Sequence, residues 1–448
     1  MKTANDLQKS DARNIAKRTR LASRTLAMLS DDARRAALSS AADSLLASRA
    51  DILQANEQDV IAAVRAVEAG RLTRSMLARL KTSEAGINDM AARVRDVANL
   101  PDPINQLLST TELDDDLRLE KRTCPLGVIA IVFESRPDVV SQVAALTLRS
   151  GNAVIFKGGS EASNTNETLV SIWRQALARH PEIPIDSINL LHTREDVTEL
   201  LALHEEIDLI IPRGSKRFVR YIAENTRIPV LGHGEGVCHV YVDCAADLEK
   251  ALKVAFDSKV QYPAACNAME TLLVHEQVAP QFLPRMIDRL LIAGVEIRGC
   301  AQTRALAHHA DVKEAQEEDW AREYSDLILS IRVVASAGEA IEHIRQFGSG
   351  HTESIVTEDR ELASHFMNSI DAASVFHNAS TRFADGFRYG LGAELGISTG
   401  KLHSRGPVGL EGLTTYKYTL FGDGHTVESY NKGERVFKHR ALKLPGVH

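Results

Sequence analysis

The sequence predicts an α/β protein in which two successive regions of alternating strands and helices follow an all-helical N-terminal block. Continuous apolar runs, LGVIAIVF at 126–133 and AVIFK at 153–157, bracket a helical stretch from Val139 to Arg149 that Gly151 ends. Runs that are apolar on both faces suit strands covered on both sides, and parallel neighbours require such a crossover. The same texture resumes at CHVYVD, residues 238–243. With 448 residues, 44% hydrophobic and 25% charged, the chain has the length of two or three globular domains of about 150 residues each.

Each element has a local reason. Ser30 offers a helix cap, Asp31 and Asp32 follow in the first turn, and Leu38, Ala41, Ala42 and Leu45 fall on one helical face. The whole of the first hundred residues reads as helical. TTELDDDLRLEKR, residues 110–122, alternates like an exposed strand or hairpin, and such a strand needs a partner that a second subunit could supply. The first α/β region continues with SINLLH, a helix from TREDVTELLALH, the strand IDLIIP and a helix after PRGS, which together make a nucleotide-binding type of sheet. METLLVH, DLILSIRVV, ESIVT and SVFHN supply strands to the second region. FADGFRYGLGAELGISTGK, residues 383–401, reads as a long structured loop of the kind that lines a site. The basic tail VESYNKGERVFKHRALKLPGVH reads as a solvated extension.

Composition narrows the partners. The formal charge of -7 comes from 53 basic and 60 acidic residues, without the basic footprint of a nucleic-acid binder. Five cysteines, Cys124, Cys238, Cys244, Cys266 and Cys300, are odd in number and form no CxxC pair, which argues for a reducing compartment without a disulfide framework or zinc knuckle. No apolar leader precedes the first helix and no run of about 18 apolar residues occurs. A cytoplasmic protein with a small-molecule partner is expected, with no membrane contact.

In QYPAACNAME, residues 261–270, Ala264, Ala265 and Ala268 leave room around Cys266, which makes it a candidate nucleophile beside the blander reading of a small buried hydrophobe. The dinucleotide fingerprint GxGxxG is absent, since the first strand turns through FESRPDVV. GHGEGV at 232–237 precedes a strand and suits a tight turn better than a phosphate cradle. VIFKGGSEAS and LIIPRGSKRF instead run from strand through glycine and serine into a helix, offering backbone N–H groups to phosphate. Lys157 stands where a cation would tolerate the 2′-phosphate of NADP, or is a surface lysine. Arg136 follows a strand end where it could grip a carboxylate or phosphate, or pair with Glu134. His233, His308, His309, His351 and His403 show no metal-ligand spacing, so no metal is expected.

The blocks PLGVIAIVFESRPDVV, NAVIFKGGSEA, LIIPRGS, GVCHVYVD, PAACNAMETLLV, GSGHTESIVT, NASTRFADG and RGPVGLEGLTTYKY are collinear from about Leu26 to Gly424. Together they resemble the aldehyde dehydrogenase superfamily and, within it, the γ-glutamyl phosphate reductase family. The resemblance implies an aldehyde-dehydrogenase-like fold: a Rossmann-type NADP-binding domain (1–109 and 124–235), an α/β catalytic domain (236–407), a β oligomerisation arm (110–123 and 408–425) and an extension (426–448). It implies NADPH-dependent reduction of γ-glutamyl phosphate to glutamate 5-semialdehyde and phosphate through a cysteine thioester, the second step of proline biosynthesis from glutamate. It implies Cys266 as nucleophile, with its backbone N–H and the Asn267 side chain as oxyanion donors, and Lys157, Gly158, Ser160, Gly214, Ser215 and Glu323 at the cofactor. Substrate contacts are expected from Arg136, His351, Asn378 and Arg388, and from Ser135, which falls near the oxyanion-binding asparagine of aldehyde dehydrogenases. A dimer or tetramer and association with glutamate 5-kinase are also expected. Ordinary aldehyde dehydrogenases carry a deacylating glutamate in ELGGK, whereas the matching stretch here has Gly232 and His233, with Glu235 nearby, so phosphate rather than water is expected to open the thioester.

Overall fold

Five helices open the chain, as the apolar spacing predicts: α1 (Ala12–Leu26), α2 (Asp31–Ala47), α3 (Arg49–Glu68), α4 (Arg74–Leu80) and α5 (Glu84–Asn99). The Ser30 hydroxyl accepts from Ala33 N–H, and Leu38, Ala41, Ala42 and Leu45 are fully buried, so cap and apolar face both form where the sequence puts them. The structure, a computed structural model, describes residues 12–193, 195–232, 234–307 and 309–444. His233 and His308 lie outside the described residues.

The chain divides into two units, Met1–Leu231 with Gly392–Leu395 and Val408–His448, and Gly232–Leu391 with Gly396–Pro407. In the first, the hairpin β1 (Leu107–Asp114) and β2 (Leu117–Pro125) is followed by β3 (Val128–Phe133), α6 (Asp138–Arg149), β4 (Ala153–Gly158), α7 (Ser163–Leu177), β5 (Ile188–Leu191), α8 (Glu195–Ala202), β6 (Leu209–Arg213) and α9 (Lys216–Glu224). A four-stranded parallel sheet in the order β5-β4-β3-β6 results. Every residue of β3 and β4 is buried, so each large apolar side chain there contributes about 1.5–3 kcal/mol relative to exposure. Gly151 ends α6 at φ +70, a backbone region that side-chain-bearing residues avoid.

The second unit holds β7 (Cys238–Val242), α10 (Leu248–Val260), β8 (Met269–His275), α11 (Ala279–Ile292), β9 (Glu296–Gly299), α12 (Ala301–Leu306), β10 (Lys313–Glu314), β11 (Ile328–Val334), α13 (Ala337–Phe347), β12 (Thr352–Val356), α14 (Arg360–Ser369) and β13 (Ser374–His377). Its seven strands pair in parallel in the order β10-β9-β11-β8-β7-β12-β13. The short β9 and β10 escape a sequence reading because their polar residues, Glu296, Arg298, Lys313 and Glu314, give no apolar run. A two-stranded ribbon, β14 (Ile397–Ser398) and β15 (Gly406–Pro407), follows in this unit. β7 sits between β8 and β12, which brings the loops entering these three strands side by side.

The end of the chain returns to the first unit, where β16 (Thr414–Phe421) pairs with β2 and a last strand, β17 (Arg440–Leu442), pairs with β1. The reading of the tail as a solvated extension is therefore corrected. Lys438 N–H donates to Leu113 O at 2.7 Å, the Tyr430 hydroxyl donates to Asp114 at 3.0 Å, and Arg435 and Lys438 pair with Asp114. The acidic turn that the hairpin needs for its bend attracts the tail's cations, a long-range complementarity that local composition does not reveal. Deleting residues 427–448 strips β1 of an edge partner, so the thermal midpoint is expected to drop by a few degrees. Calorimetry at low and high salt checks this, because screening of the exposed pairs should shrink the difference at high salt; equal midpoints for the two proteins would deny the tail a structural role.

Candidate active site

In the second unit the candidate residues gather where strands begin. Gln261 ends α10, Ala265 N–H donates to Tyr262 O, and Ala268 N–H donates to Ala265 O, so a tight turn of small residues delivers Cys266 just before β8. Cys266 is half-buried and Asn267 is buried. The Cys266 Sγ lies 3.2 Å from Nε2 of His351, a fully buried ring on the loop that enters β12. Nδ1 of the same ring is 2.8 Å from the Thr352 hydroxyl. The Cys238 sulfur also stands 3.7 Å from Nδ1. The tautomer protonated at Nδ1 would give its proton to that side and turn Nε2 to the thiol as acceptor, as a base requires.

The backbone of Cys266 is held from the third strand entrance. The Cys238 thiol donates to Cys266 O at 3.3 Å, and burial pushes that thiol's pKa well up, so Cys238 supports the turn as a hydrogen-bond donor. Gly236 approaches so closely that a Cβ there would stand 1.9 Å from Cys266 O. Gly236→Ala must therefore move the cysteine turn, and a roughly 10- to 100-fold loss of turnover is expected. Steady-state rates checked against an unchanged unfolding midpoint test this, and wild-type rates would mean that the approach is not needed.

Glu323 joins the same cluster, its Oε2 accepting from Gly236 N–H at 3.0 Å. Ser325 N–H donates to Glu270, which forms a fully buried ion pair with Lys259 at 2.6 Å. Burial pushes the Glu270 carboxyl up to about 7 even though Lys259 pulls it down. Asn267 donates Nδ2 to Ala384 O at 2.8 Å, so one of its two amide hydrogens is committed to the neighbouring loop. Arg388 donates Nη1 to Arg382 O at 2.7 Å and thereby fixes that loop from behind. Asn378 is not brought to the cysteine. It follows the C-terminal end of β13, at φ +55, and exchanges hydrogen bonds with the Thr357 backbone, whereas Cys266 and His351 precede strands β8 and β12. In the structure Asn378 thus has the contacts of a strand-end tie.

In the first unit the candidates stand at the opposite, C-terminal strand ends. Ser135, buried at φ +48, gives both its N–H and its hydroxyl to Glu161 Oε1, so the predicted substrate hydroxyl is spent on a carboxylate. Arg136 is half-buried and forms no ion pair with Glu134 among the described residues; Glu134 accepts from Ser215 N–H instead. The two glycine–serine turns also differ. The α7 end after VIFKGGSEAS has its Asn164 and Thr165 N–H groups occupied by buried Asp59, which corrects the expectation that they are available to phosphate. The α9 end is capped only by Ser215, whose hydroxyl accepts from Phe218 N–H, and it stays exposed. A Cβ at Gly214 would meet the Glu134 carboxylate at 2.6 Å and the Phe218 ring at 2.8 Å, and the same carboxylate takes the Ser215 N–H, so the turn is close-packed backbone beside an acid. Lys157 is buried, its Nζ donating to Gly158 O at 2.6 Å, which removes the surface-lysine reading. Gly158 is packed against Asn166 and Phe133, and Ser160 opens an exposed turn.

The sequence profile described as the aldehyde dehydrogenase family matches residues 1–318. The chain belongs to the aldehyde dehydrogenase family. Within it, the γ-glutamyl phosphate reductases of Synechococcus sp. (strain JA-3-3Ab) and Natronomonas pharaonis are 54% and 55% identical, over 94% and 92% of this chain and 92% and 94% of theirs. A crystal structure of γ-glutamyl phosphate reductase from Thermotoga maritima superposes with a TM-score of 0.89 at 42% identity, covering 93% of this chain and 99% of that one. An acetylating aldehyde dehydrogenase from Geobacillus thermoglucosidasius, 19% identical with a TM-score of 0.63 over 93% of this chain and 97% of its own, shares the fold. Membership makes the chain an oxidoreductase, and enzymes of this family use a nicotinamide cofactor. Among the described residues no helix is long and apolar enough to cross a membrane.

Sequence reasoning missed Gly236, Cys238 and Asp59. A glycine that abuts the Cys266 carbonyl leaves no signal beyond its residue type. Asp59 carries no cue at all, since its partners lie over a hundred residues away.

Proposed function

We propose that this chain reduces γ-glutamyl phosphate to glutamate 5-semialdehyde and inorganic phosphate with NADPH, the second step of proline biosynthesis from glutamate. The observation that carries the reading is the 3.2 Å contact between Cys266 Sγ and His351 Nε2, in a chain whose curated relatives bear that enzyme's name. His351 takes the thiol proton, and the sulfur attacks the acyl carbon to give a thioester as phosphate departs. Negative charge on the acyl oxygen is met by the remaining amide hydrogen of Asn267 and the main chain of the cysteine turn. Lys157, Gly158, Ser160, Gly214 and Ser215 in the first unit and Glu323 in the second are the residues that would hold NADPH, which when bound would supply the hydride that reduces the thioester. The resulting thiohemiacetal collapses to aldehyde and thiolate, and the sulfur retrieves its proton from His351. Arg136 and Arg388 serve anionic substrate recognition, Arg388 through the loop that it fixes.

On this reading the first unit is the NADP-binding domain with its oligomerisation arm and the second is the catalytic domain. The arm's outer strand β16 exposes Tyr416, Tyr418, Leu420 and Phe421, a surface suited to a second copy in a dimer or tetramer. A cytoplasmic setting, with hand-over of the short-lived acyl phosphate from glutamate 5-kinase, completes the proposal.

A second reading, a hydrolytic semialdehyde dehydrogenase with Glu235 as base, is favoured by one observation: Glu235 adjoins Gly236, which packs on the Cys266 carbonyl. One assay separates the two. NADPH formation from glutamate semialdehyde and NADP should depend strictly on added phosphate at fixed ionic strength. Equal rates without phosphate would overturn the reductase in favour of the hydrolytic enzyme.

A further inference from the structure

The loop that Asn267 and Arg388 tie down carries a second arginine, Arg382, in the short turn Thr381–Phe383. Only 7% of this residue is exposed. Its Nε donates to Gln261 Oε1 at 2.9 Å, and its guanidinium lies over the Tyr262 ring at 5.7 Å, so it packs on the first two residues of the cysteine turn. Among the described residues it forms no ion pair, and its Nε is the one guanidinium nitrogen with a hydrogen bond to protein. A guanidinium this deeply buried is normally paired with a carboxylate, because an uncompensated charge is costly to bury. Burial first, and then the nearby Arg388, lower its pKa, while Asp385, the Cys266 sulfur and Asp257 hold it up without touching it. The bond from Asn267, the neighbour of Cys266, to Ala384 O, two residues beyond Arg382, ties its loop to the cysteine turn.

We infer that Arg382 is the residue that holds the phosphate of the acyl phosphate, and of free inorganic phosphate in the reverse direction, beside the Cys266 sulfur. The inference rests on the reductase reading above and names the group that recognises its leaving group. The chemistry of the substrate selects phosphate over the α-carboxylate. Phosphate is joined to the reacting carbon through a single oxygen, whereas the carboxylate lies at the far end of the glutamyl chain. When the thiolate attacks, the S–C bond forms, the C–O bond to phosphate breaks, and its electron pair leaves on the phosphate oxygen. The free Nη edge of Arg382 is built to accept that growing charge with two parallel hydrogen bonds. Its proton count does not change.

The test uses the full-length enzyme with inorganic phosphate as probe. In phosphate-dependent oxidation of glutamate semialdehyde, Arg382→Gln should raise the KM for phosphate by about 10- to 100-fold while the KM values for NADP and semialdehyde hold within about threefold. Arg382→Lys should recover part of the loss, since it keeps the charge but not the fork. Phosphate should also slow iodoacetamide alkylation of Cys266 in the unmodified enzyme and fail to do so in Arg382→Gln, a readout that needs no turnover. A raised semialdehyde KM with unchanged phosphate KM would make Arg382 a carboxylate holder. A fall in kcat alone in both variants, with phosphate protection intact, would make it a structural residue, and either result overturns the inference. Failure of the reductase reading looks different: the unmodified enzyme itself would turn over without phosphate.

Discussion

Cys266→Ala is expected to lower reductive turnover by more than about 10⁴-fold while leaving NADPH binding intact. Burial raises the pKa of Cys238, Cys124 and Cys244, Cys238 is enclosed beneath Cys266 as a donor to its carbonyl, and the Cys300 sulfur accepts from Val333 N–H in the sheet. The substitution removes only a sulfur from a half-buried turn, so the fold and the nucleotide-binding strand ends should persist. Fluorescence titration with NADPH alongside single-turnover rates tests both halves. A Cys266→Ala enzyme that still turned over within tenfold of the parent would eliminate the thioester, whereas lost NADPH binding would mean that the turn supports more of the structure than its contacts indicate.

His351→Ala is the second large effect, about 10²- to 10³-fold in kcat with little change in the KM for NADPH. The imidazole stands 3.2 Å from the sulfur on one side and 2.8 Å from the Thr352 hydroxyl on the other, so its removal takes away both the acceptor for the thiol proton and the donor that later restores it. Alkylation of Cys266 by iodoacetamide at neutral pH should slow in parallel. If alkylation and turnover were both unaffected, His351 would be a packing residue. If turnover fell but alkylation did not, its role would lie with the substrate, as the family resemblance alone implied.

The fold was largely legible in the sequence because the central strands of its parallel sheets are mostly apolar. LGVIAIVF, AVIFK, CHVYVD and METLLVH each became a buried strand, and the Ser30 cap and Gly151 stop sit where the residues place them. The short polar strands β9, β10 and β17 were not legible, since their pairing is set by neighbours distant in sequence. At the site, the small residues around Cys266 made it a candidate and the family resemblance gave it the role of nucleophile, but its contact with His351 could not be read from the sequence. His351 is 85 residues away from Cys266, and only the parallel ladder of β8, β7 and β12 brings the two together. Asn378 and Ser135 show the converse. Both carry suitable chemistry, yet their side chains are already engaged, by Thr357 and by Glu161.

The placement of the nucleophile, its imidazole and Gly236 on the loops entering three adjacent strands ties catalysis to sheet registry. A slip of one residue between β7 and β12 would carry His351 about 3.3 Å along its strand and turn its neighbours to the other face. The enzyme would then be folded by most spectroscopic criteria and still inert. Activity regained on refolding is therefore a clock for the slowest pairing in the sheet, and it should lag behind helix formation, because contacts between strands so far apart in the chain close late.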